Sequence, residues 1–294
     1  MSYLIQNDFK KLIQSDNLSA ILGSDFTILD QAQRAAITEV TSYLTQKYDC
    51  SQEFTDTNPW DPAVAYKANA RVYLDASIYN SANTYNVNDL CLQNGSVYIC
   101  INAGTTGAFD LPNWTLLGIQ YAIFYATIPN PVFNAQYIYA VGNTVFWKDN
   151  VYTCVLPTLV TDHTLALQFG SYANLPQQNV FPDDTLQGLK YWGTPVPYSV
   201  PAGTLPTDTT KWTLGDNRNP QMVNSCIDVA LFTIHSRIAP NNIPDLRVKR
   251  YDDVIKWLKD VAKGEYVTAN LTKFKPKKGK RKRGGRNTTK LNDY

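Results

Sequence analysis

The chain has 294 residues, of which 44% are hydrophobic and 18% charged, and its formal net charge is +2. This composition fits one large folded domain or two smaller ones and excludes a wholly disordered chain. No apolar run approaches the ~20 residues of a membrane helix and the N-terminus lacks a secretory pattern, so we expect no membrane partner.

Charge is unevenly distributed along the chain. Residues 273–286 contain nine Lys or Arg and no acidic residue. Removing these nine charges from the net +2 leaves −7 for the remainder. The sequence therefore predicts a mildly acidic body joined to a strongly basic tail.

Residues 1–76 have a helical pattern. A short helix is predicted from Asn7, its N-cap, to Ile13, and a longer one from Ile28 to Tyr48 with Thr27 as its cap. Apolar residues recur at three- and four-residue steps along the longer helix. A loop rich in Thr, Asn, Asp and Pro is predicted to follow it.

Residues 77–216 change to short β-branched and aromatic runs between turn residues, which predicts an all-β region. The region also repeats itself, because aligning Tyr85 with Tyr139 gives five identities in sixteen residues without a gap. Asn94-Gly95 and Lys148-Asp149-Asn150 fall at the same place in the two copies and predict hairpin turns. We therefore expect two small β modules, residues 77–136 and 137–216.

Each copy is predicted to end at a Trp-Thr-Leu sequence, which begins at Trp114 in the first copy and at Trp212 in the second. On this alignment the second copy carries a long polar insertion, from about Pro157 to Thr207, before its tryptophan.

Residues 217–268 return to helices. The run from Gln221 to Arg237 is apolar on nearly every side, which predicts a central buried helix. An amphipathic helix follows from Leu246 to Lys263, with Gly264 placed to end it and Asp245 to cap it. One amphipathic helix cannot surround a buried one, so the N-terminal helices must complete the packing. The expected fold is α+β: a discontinuous helical domain, residues 1–76 and 217–268, interrupted by the all-β insertion.

Residues 269–294 form what we call the basic arm. Like charges, Pro and Gly leave it no apolar core, which predicts a disordered or extended segment. It could dock on an acidic protein surface, contact DNA phosphates, serve as a nuclear-import address, or have no function. The residues that would carry protein or DNA binding are Lys277, Lys278, Lys280, Arg281, Lys282, Arg283 and Arg286.

The sequence gives little support for catalysis. Its two histidines are far apart, with His163 in a polar, loop-like stretch and His235 in the apolar helix, where we expect a satisfied ring. It has no phosphate-binding loop, dinucleotide fingerprint or serine nucleophile elbow. Its five cysteines include no Cys-x-x-Cys pair, which predicts reduced structural thiols. We therefore expect no enzyme activity, no metal site and no cofactor.

Three segments resemble the head–tail connector (neck adaptor, head completion) family of tailed phages. They are Ser2-Tyr3-Leu4, the predicted helix end Tyr43-Leu44-Thr45-Gln46-Lys47-Tyr48, and the closing helix from Val248 through Lys256-Trp257-Leu258 to Gly264. The resemblance covers roughly the first 50 residues and residues 217–268. It implies a structural virion protein of a tailed bacteriophage, made in the host cytoplasm and located at the portal–tail junction.

The same resemblance implies a ring of identical subunits, twelve in this family, that closes by complementary lateral faces. The expected partners are the portal protein, other neck or tail proteins, and the packaged double-stranded DNA in the lumen. An acidic body suits such a channel because negative walls repel phosphate, although an acidic excess of this size is also ordinary for a soluble protein. The basic arm would dock on the portal or adjacent subunits, or contact the DNA.

The two β modules resemble small carbohydrate-binding modules found on chitinases, through a shared order of Tyr, Val, Tyr-x-Cys and Trp. The glycine of that pattern is Gly142 in the second copy, but Asn88 replaces it in the first. This resemblance keeps a second function open, a carbohydrate-binding adhesion protein of a phage tail or cell surface. The basic arm keeps a third open, a nucleic-acid binder unrelated to virions.

The aromatic residues of the insert have two interpretations. Trp114 and Trp212, with Tyr98 and Tyr152, could stack on sugar rings, but we favour the interpretation that they form the cores of very small units. Inside the long insertion, Tyr191 and Trp192 are predicted to project and contact other virion proteins. The four candidate contact residues of the insert are Trp114, Tyr191, Trp192 and Trp212.

Overall fold

In the computed structural model, helices from both ends of the chain share one core and the strands lie between them in sequence, so the fold is α+β. The structure describes residues 2–23, 25, 27–134, 137, 139–156, 181–183, 188–238, 242–264 and 271–273. Its 3-10 helices are Gln6–Lys11 and Leu111–Asn113, and its α-helices are α1 (Ser15–Leu22), α2 (Thr27–Leu44), α3 (Gly188–Tyr191), α4 (Pro220–Ile238) and α5 (Asp245–Lys263).

The strands are short. They are β1 (Tyr48–Asp49), β2 (Thr57–Pro59), β3 (Tyr66–Lys67), β4 (Arg71–Tyr73), β5 (Leu90–Gln93), β6 (Ser96–Cys100), β7 (Trp114–Ile119), β8 (Ile123–Ala126), β9 (Thr144–Trp147), β10 (Asn150–Thr153), β11 (Val196–Pro197), β12 (Ser199–Val200), β13 (Trp212–Leu214) and β14 (Thr272–Lys273).

Helix α4 lies at the centre of the helical body, which consists of the first 3-10 helix, α1, α2, α4 and α5. It packs against both α2 and α5, and α2 also contacts α5. The buried residues of α4 are distributed around the helix: Met222, Val223, Ser225, Cys226, Ile227, Val229, Ala230, Leu231 and Ile234. The prediction of a central buried helix completed by N-terminal helices is confirmed.

Some of the predicted helix ends agree with the structure and others differ by a few residues. Helix α5 runs from Asp245 to Lys263, so Asp245 is its first residue and Pro244, not the predicted Asp245, is its N-cap. Gly264 ends the helix as predicted, with a φ of +93°, the left-handed conformation that glycine adopts without strain. Helix α2 ends at Leu44, four residues early, because Tyr48 leaves the helix and pairs with Lys273 as a strand. The first predicted helix is a 3-10 helix, and α1 was not predicted.

A four-stranded sheet, in the order β13-β8-β4-β2, joins the helical body to the β modules. Strands β2 and β4 are parallel and the other pairs antiparallel. Ser2 pairs with Thr57 at one edge, and the core beneath the sheet includes Val97 and Ile99 of the first module. The sequence does not predict this sheet, since its strands of three or four residues come from three distant parts of the chain.

The two β modules have the same strand order. Strand β6 lies between β5 and β7 in the first, and β10 lies between β9 and β11 in the second. Asn94 and Gly95 have φ values of +50° and +78°, and Lys148 and Asp149 have +47° and +62°. Both hairpins therefore use turns with two consecutive positive φ angles, as the turn sequences predicted.

Asp149 occupies the position that Gly95 occupies in the first module, and it does so with φ of +62°. We expect Asp149→Gly to raise the free energy of unfolding by about 0.5–1 kcal/mol, because glycine adopts positive φ without strain. Gly95→Ala, the matched change in the other module, should lower it by a similar amount. Urea denaturation of both variants checks this, and a loss of stability in Asp149→Gly would contradict it.

Candidate interaction surfaces

The counterpart of Trp114 in the second module is Trp192. Trp114 pairs with Cys100 across the strands and meets the ring of Tyr85 edge-on at 5.1 Å. Trp192 forms the equivalent bridge to Cys154 and meets Tyr139 edge-on at 5.2 Å. The geometry supports the duplication that the sequence predicted.

The predicted equivalence of Trp114 and Trp212 is therefore wrong. Trp212 begins β13, which pairs with β8 in the four-stranded sheet and belongs to a different core. The two Trp-Thr-Leu sequences belong to unrelated strands, β7 and β13, and each strand begins with a large buried residue. The second module ends with β11, so the added residues precede Trp192.

All four aromatic residues proposed as insert contacts are buried. Trp114 is 5% exposed, Tyr191 8%, Trp192 0% and Trp212 1%. The core interpretation is confirmed for Trp114, which is buried in the first module; Trp212 is also buried, but in the core of the four-stranded sheet. The prediction that Tyr191 and Trp192 project is wrong, because both side chains fill the core of the second module beside Phe133. None of the four offers an open face on which a sugar ring could stack.

Exposed aliphatic residues recur at the same positions in both modules. In the first module Val87 and Ile101 are exposed, and a backbone hydrogen bond from the N–H of Asn88 to the carbonyl of Cys100 joins the residues next to them. The second module repeats this arrangement through the N–H of Gly142 and the carbonyl of Cys154. The exposed pairs, each 54 residues apart, are Ile78 and Val132, Val87 and Val141, and Ile101 and Val155. The sequence alignment contained this signal at Val87 and Val141, but it was not interpreted as a surface.

A buried cluster of charges joins the helical body to the four-stranded sheet. Arg218 has a fully buried side chain and donates all five of its N–H groups. Two of these bonds go to each of the carboxylates of Asp8 and Asp216, at 2.8–3.0 Å, and one goes to the carbonyl of Tyr3 at 2.7 Å. Burial alone would lower the pKa of Arg218, but these bonds and charges raise it.

Arg71 performs a similar role at the first residue of β4. Its guanidinium donates to the backbone carbonyls of Gln52, Glu53 and Thr55 and to the side-chain oxygen of Asn217, all within 2.9 Å. The carboxylate of Glu53 in turn accepts from the Tyr3 hydroxyl at 2.6 Å. Burial, followed by the Glu53 charge, raises the pKa of Tyr3, so its hydroxyl stays protonated and donates.

The residues proposed for the basic arm contacts, Lys277, Lys278, Lys280, Arg281, Lys282, Arg283 and Arg286, lie outside the described residues. The structure does place the start of the arm. Strand β14 pairs antiparallel with β1, so Lys273 lies opposite Tyr48. Leu271, two residues earlier, is buried in the core of the helical body. The arm therefore leaves from the end of the helical body where α2 and α5 finish.

His235 lies in α4, with its ring Nδ1 2.7 Å from the carbonyl oxygen of Leu231, which agrees with the predicted satisfied ring. His163, the other histidine, lies outside the described residues. Within the described part of the chain, the helices are too short or too polar to cross a membrane.

The five cysteines are all buried and none forms a disulfide, as predicted. Burial raises the pKa of Cys50 to about 11 and that of Cys91 to about 12, and it also raises the pKa of Cys226. Since burial shields all five thiols from the reagent, and the raised pKa values keep Cys50, Cys91 and Cys226 in the unreactive protonated form, we expect an alkylating reagent at pH 8 to leave the native chain unlabelled and to label all five thiols in denaturant. Mass spectrometry checks this, and rapid labelling of a thiol before unfolding would contradict it.

Residues 217–283 match the family described as Bacteriophage Mu, Gp36. This match indicates a phage protein. The matched residues are 67 of the 294; they contain α4 and α5 and extend into the basic arm. No curated protein and no solved structure matches the chain.

Proposed function

We propose that this chain is a structural virion protein, an oligomeric ring adaptor that joins the portal to the neck or tail and lines the DNA exit channel. The observation that carries the proposal is the helical body: α2 and α5 enclose α4, and the phage family match falls on α4 and α5. In this proposal the chain performs no catalytic step and holds no cofactor. It acts by binding neighbouring proteins through its surface.

The β modules act as attachment points on the outside of the ring. Trp114 and Trp192 are buried in the cores of the modules, and the repeated aliphatic residues remain exposed at the surface. Aliphatic side chains bury well against protein and offer a sugar few hydrogen bonds, so other neck, tail or capsid proteins suit this surface better than a glycan. The adhesion function is accordingly the less supported alternative.

The buried cluster around Arg218 fixes the orientation of the β insert relative to the helical body. Its ion pairs and hydrogen bonds connect the N-terminal segment, the start of β4 and the segment that re-enters α4. Arg218 has all five of its N–H groups bonded and Arg71 donates four hydrogen bonds, so any tilt of the sheet against the helices would leave buried charged groups unpaired. The modules would therefore hold a defined direction relative to the ring.

Imaging of purified particles tests the proposal most directly. We expect density for this chain in a ring at the portal–tail junction, with the β modules extending from the helical layer. Density in a peripheral fibre would support the adhesion function, and absence of the chain from particles would support a nucleic-acid binder. Either of these two results would contradict the ring adaptor.

The basic arm provides a separate prediction about assembly. Replacing Lys277, Lys278, Lys280, Arg281, Lys282 and Arg283 by Gln should weaken retention of the chain on its partner, and the difference should shrink as salt rises, because the lost contacts are electrostatic. The measurement is retention on purified portal and on double-stranded DNA across a salt series. Weaker retention on portal alone would show that the arm binds protein, and weaker retention on DNA alone would show that it binds phosphates. Unchanged retention on both would contradict the role of the arm.

A further inference from the structure

An open groove lies where the N-terminal segment, the first β module and the four-stranded sheet meet, and we call it the joint groove. Its volume is about 750 Å³, within the range of ~300–1,000 Å³ typical of ligand pockets. Its lining includes Ile5 of the N-terminal segment, Ile119 at the end of β7, Phe124 of β8 and Leu214 at the end of β13. The groove therefore offers a largely apolar surface to a ligand.

Leu214 lies on the core face of its sheet but is uncovered. It sits opposite Phe124 of β8 and two residues after Trp212, and both of those side chains are buried in one core. Residues directly opposite each other, and residues two apart in a strand, direct their side chains to the same face of a sheet. Leu214 therefore faces the core side as well, yet it is 69% exposed. An aliphatic residue in this position is ordinarily covered by a further element.

The backbone of Leu214 is also open to a partner. Gly215 donates its N–H to the carbonyl of Ile123 on β8 at 2.9 Å. Since hydrogen bonding alternates along an antiparallel pair, Thr213 and Gly215 turn their backbone groups toward β8, and Leu214 turns its own groups away. No strand among the described residues pairs with that side of β13. The N–H and C=O of Leu214 can therefore bond to an added strand.

A second edge strand contributes to the same groove. Strand β7 is the last strand of the sheet β5-β6-β7, and within the described ranges no strand pairs with its other side. Its residues 117–119 line the groove, and Ile119 is 68% exposed. An extended segment suits a groove lined by edge strands, because its main chain can bond to an open edge while its side chains fill the apolar space.

The charged groups at the groove favour an acidic partner. Both carboxylates of the lining, Asp8 and Asp216, accept hydrogen bonds at each oxygen from within the chain. Lys11 also lines the groove and is half exposed. Lys10 is exposed and forms no ion pair with a described residue, and its amino group lies 5.4 Å from the ring centre of Tyr121, which lines the groove. An acidic residue of a partner would therefore meet lysines and no unpaired carboxylate of the described lining.

The described part of this chain offers no suitable strand to a second copy. In an extended strand, side chains two positions apart share a face. Among the described residues, exposed large apolar side chains two positions apart occur only at Leu246 and Val248, and both lie in helix α5. A different protein is therefore the better source of an extended apolar segment.

We propose that the joint groove binds an extended segment of another protein, which adds as a strand to the free edge of β13. The segment exchanges main-chain hydrogen bonds with Leu214, places an aliphatic side chain against Leu214 and Ile119, and sets an acidic residue beside Lys10. Main-chain pairing supplies affinity, and the apolar groove with its lysines supplies specificity.

Peptide selection on the isolated full chain tests this proposal. From a random nine-residue library, the immobilised chain should enrich peptides with aliphatic residues at alternate positions next to Asp or Glu. Leu214→Ser should weaken binding of an enriched peptide at least tenfold. Leu111→Ser, which changes a leucine that is 63% exposed and outside the groove lining, is the matched control and should leave binding unchanged. Lys10→Gln should weaken binding severalfold, with a difference that shrinks as salt rises.

Main-chain pairing has a readout of its own. Methylating the peptide nitrogen that faces β13 removes one donor and keeps every side chain, so it should weaken binding at least tenfold. Methylating the next nitrogen, which faces away from β13, is the control and should have little effect. In hydrogen exchange, the bound peptide should slow the amide of Leu214 and leave the amides of α4 unchanged.

Four results would overturn the proposal. Peptides that bind the Leu214→Ser variant equally well would lie outside the groove, and a library without an enriched peptide would show that the groove takes no extended segment. Equal tolerance of methylation at both nitrogens would mean that no strand is added. Self-association that Leu214→Ser abolishes would make a second copy the occupant. All these measurements use the isolated chain, so their failure is distinct from failure of the ring adaptor.

Discussion

Replacing Arg218 by Met will lower the free energy of unfolding by about 3–5 kcal/mol, one of the two largest effects we expect from a single substitution. The change leaves the buried Asp8 and the partly buried Asp216 without their shared cation, and an unpaired buried charge costs several kcal/mol. Chemical denaturation measures the loss. Arg34→Met, which removes an exposed ion pair with Asp30, is the matched control and should cost only ~0.3–0.5 kcal/mol.

The same site gives a pH dependence with a defined sign. Burial alone would raise the pKa of Asp216, but the hydrogen bonds and charge of Arg218 lower it. A carboxylate with a lowered folded-state pKa stabilises the fold above its unfolded pKa of ~3.9, and that contribution is lost as pH falls through the folded value. Arg218→Met should remove this contribution. A variant that costs no more than Arg34→Met would show that the cluster does not join the two parts of the chain.

Replacing Trp192 by Ala will unfold the second β module while the helical body stays folded. Trp192 is the largest fully buried residue of that module, where it contacts Tyr139 and Phe133, and a buried Trp→Ala change costs about 3–5 kcal/mol. A small module with few other large buried side chains is not stable enough to stay folded after losing this stabilisation, so it should unfold locally. Hydrogen exchange should increase across residues 139–154 and stay unchanged in α4.

Two comparisons make the Trp192 result specific. Trp147→Ala removes a half-buried tryptophan from the same module and should cost clearly less. Trp212→Ala should instead open the four-stranded sheet, and exchange should increase in residues 123–126. If Trp212→Ala opened the second module and Trp192→Ala did not, the assignment of Trp192 as the counterpart of Trp114 would be wrong.

The helical body could be predicted from the sequence because its signals are local. The all-round apolar pattern of α4 requires neighbours on every side, and only the N-terminal helices could supply them. Gly264 predicted the end of α5, because glycine readily adopts the left-handed conformation that terminates a helix. The early end of α2 could not be predicted, since it depends on Tyr48 pairing with Lys273, 225 residues later.

The four-stranded sheet and the end of the second module depend on contacts that sequence patterns do not record. Strands of three residues have too few side chains to show alternation, and β13 pairs with a strand that ends 86 residues earlier. The letters Trp-Thr-Leu therefore led to the wrong tryptophan. The bridge between Cys154 and Trp192 corrects the alignment.

The buried charge cluster was also missed, although one signal was present. Asp216 and Arg218 lie two residues apart, immediately before the buried helix α4, where charged residues are costly unless they are paired. Their partner Asp8 is more than 200 residues away, so the pairing itself became visible only in three dimensions.

A lysine-reactive cross-linker tests whether the two ends of one polypeptide form a single helical body, on which the proposed ring depends. The amino group of Lys47, three residues after the end of α2, lies against Gly264, the residue after Lys263. In dilute protein, a short cross-linker should join Lys47 to Lys263 within one chain, and the yield should not change with concentration. Absence of this link, with Lys47 joined only to lysines of the β insert, would contradict the account.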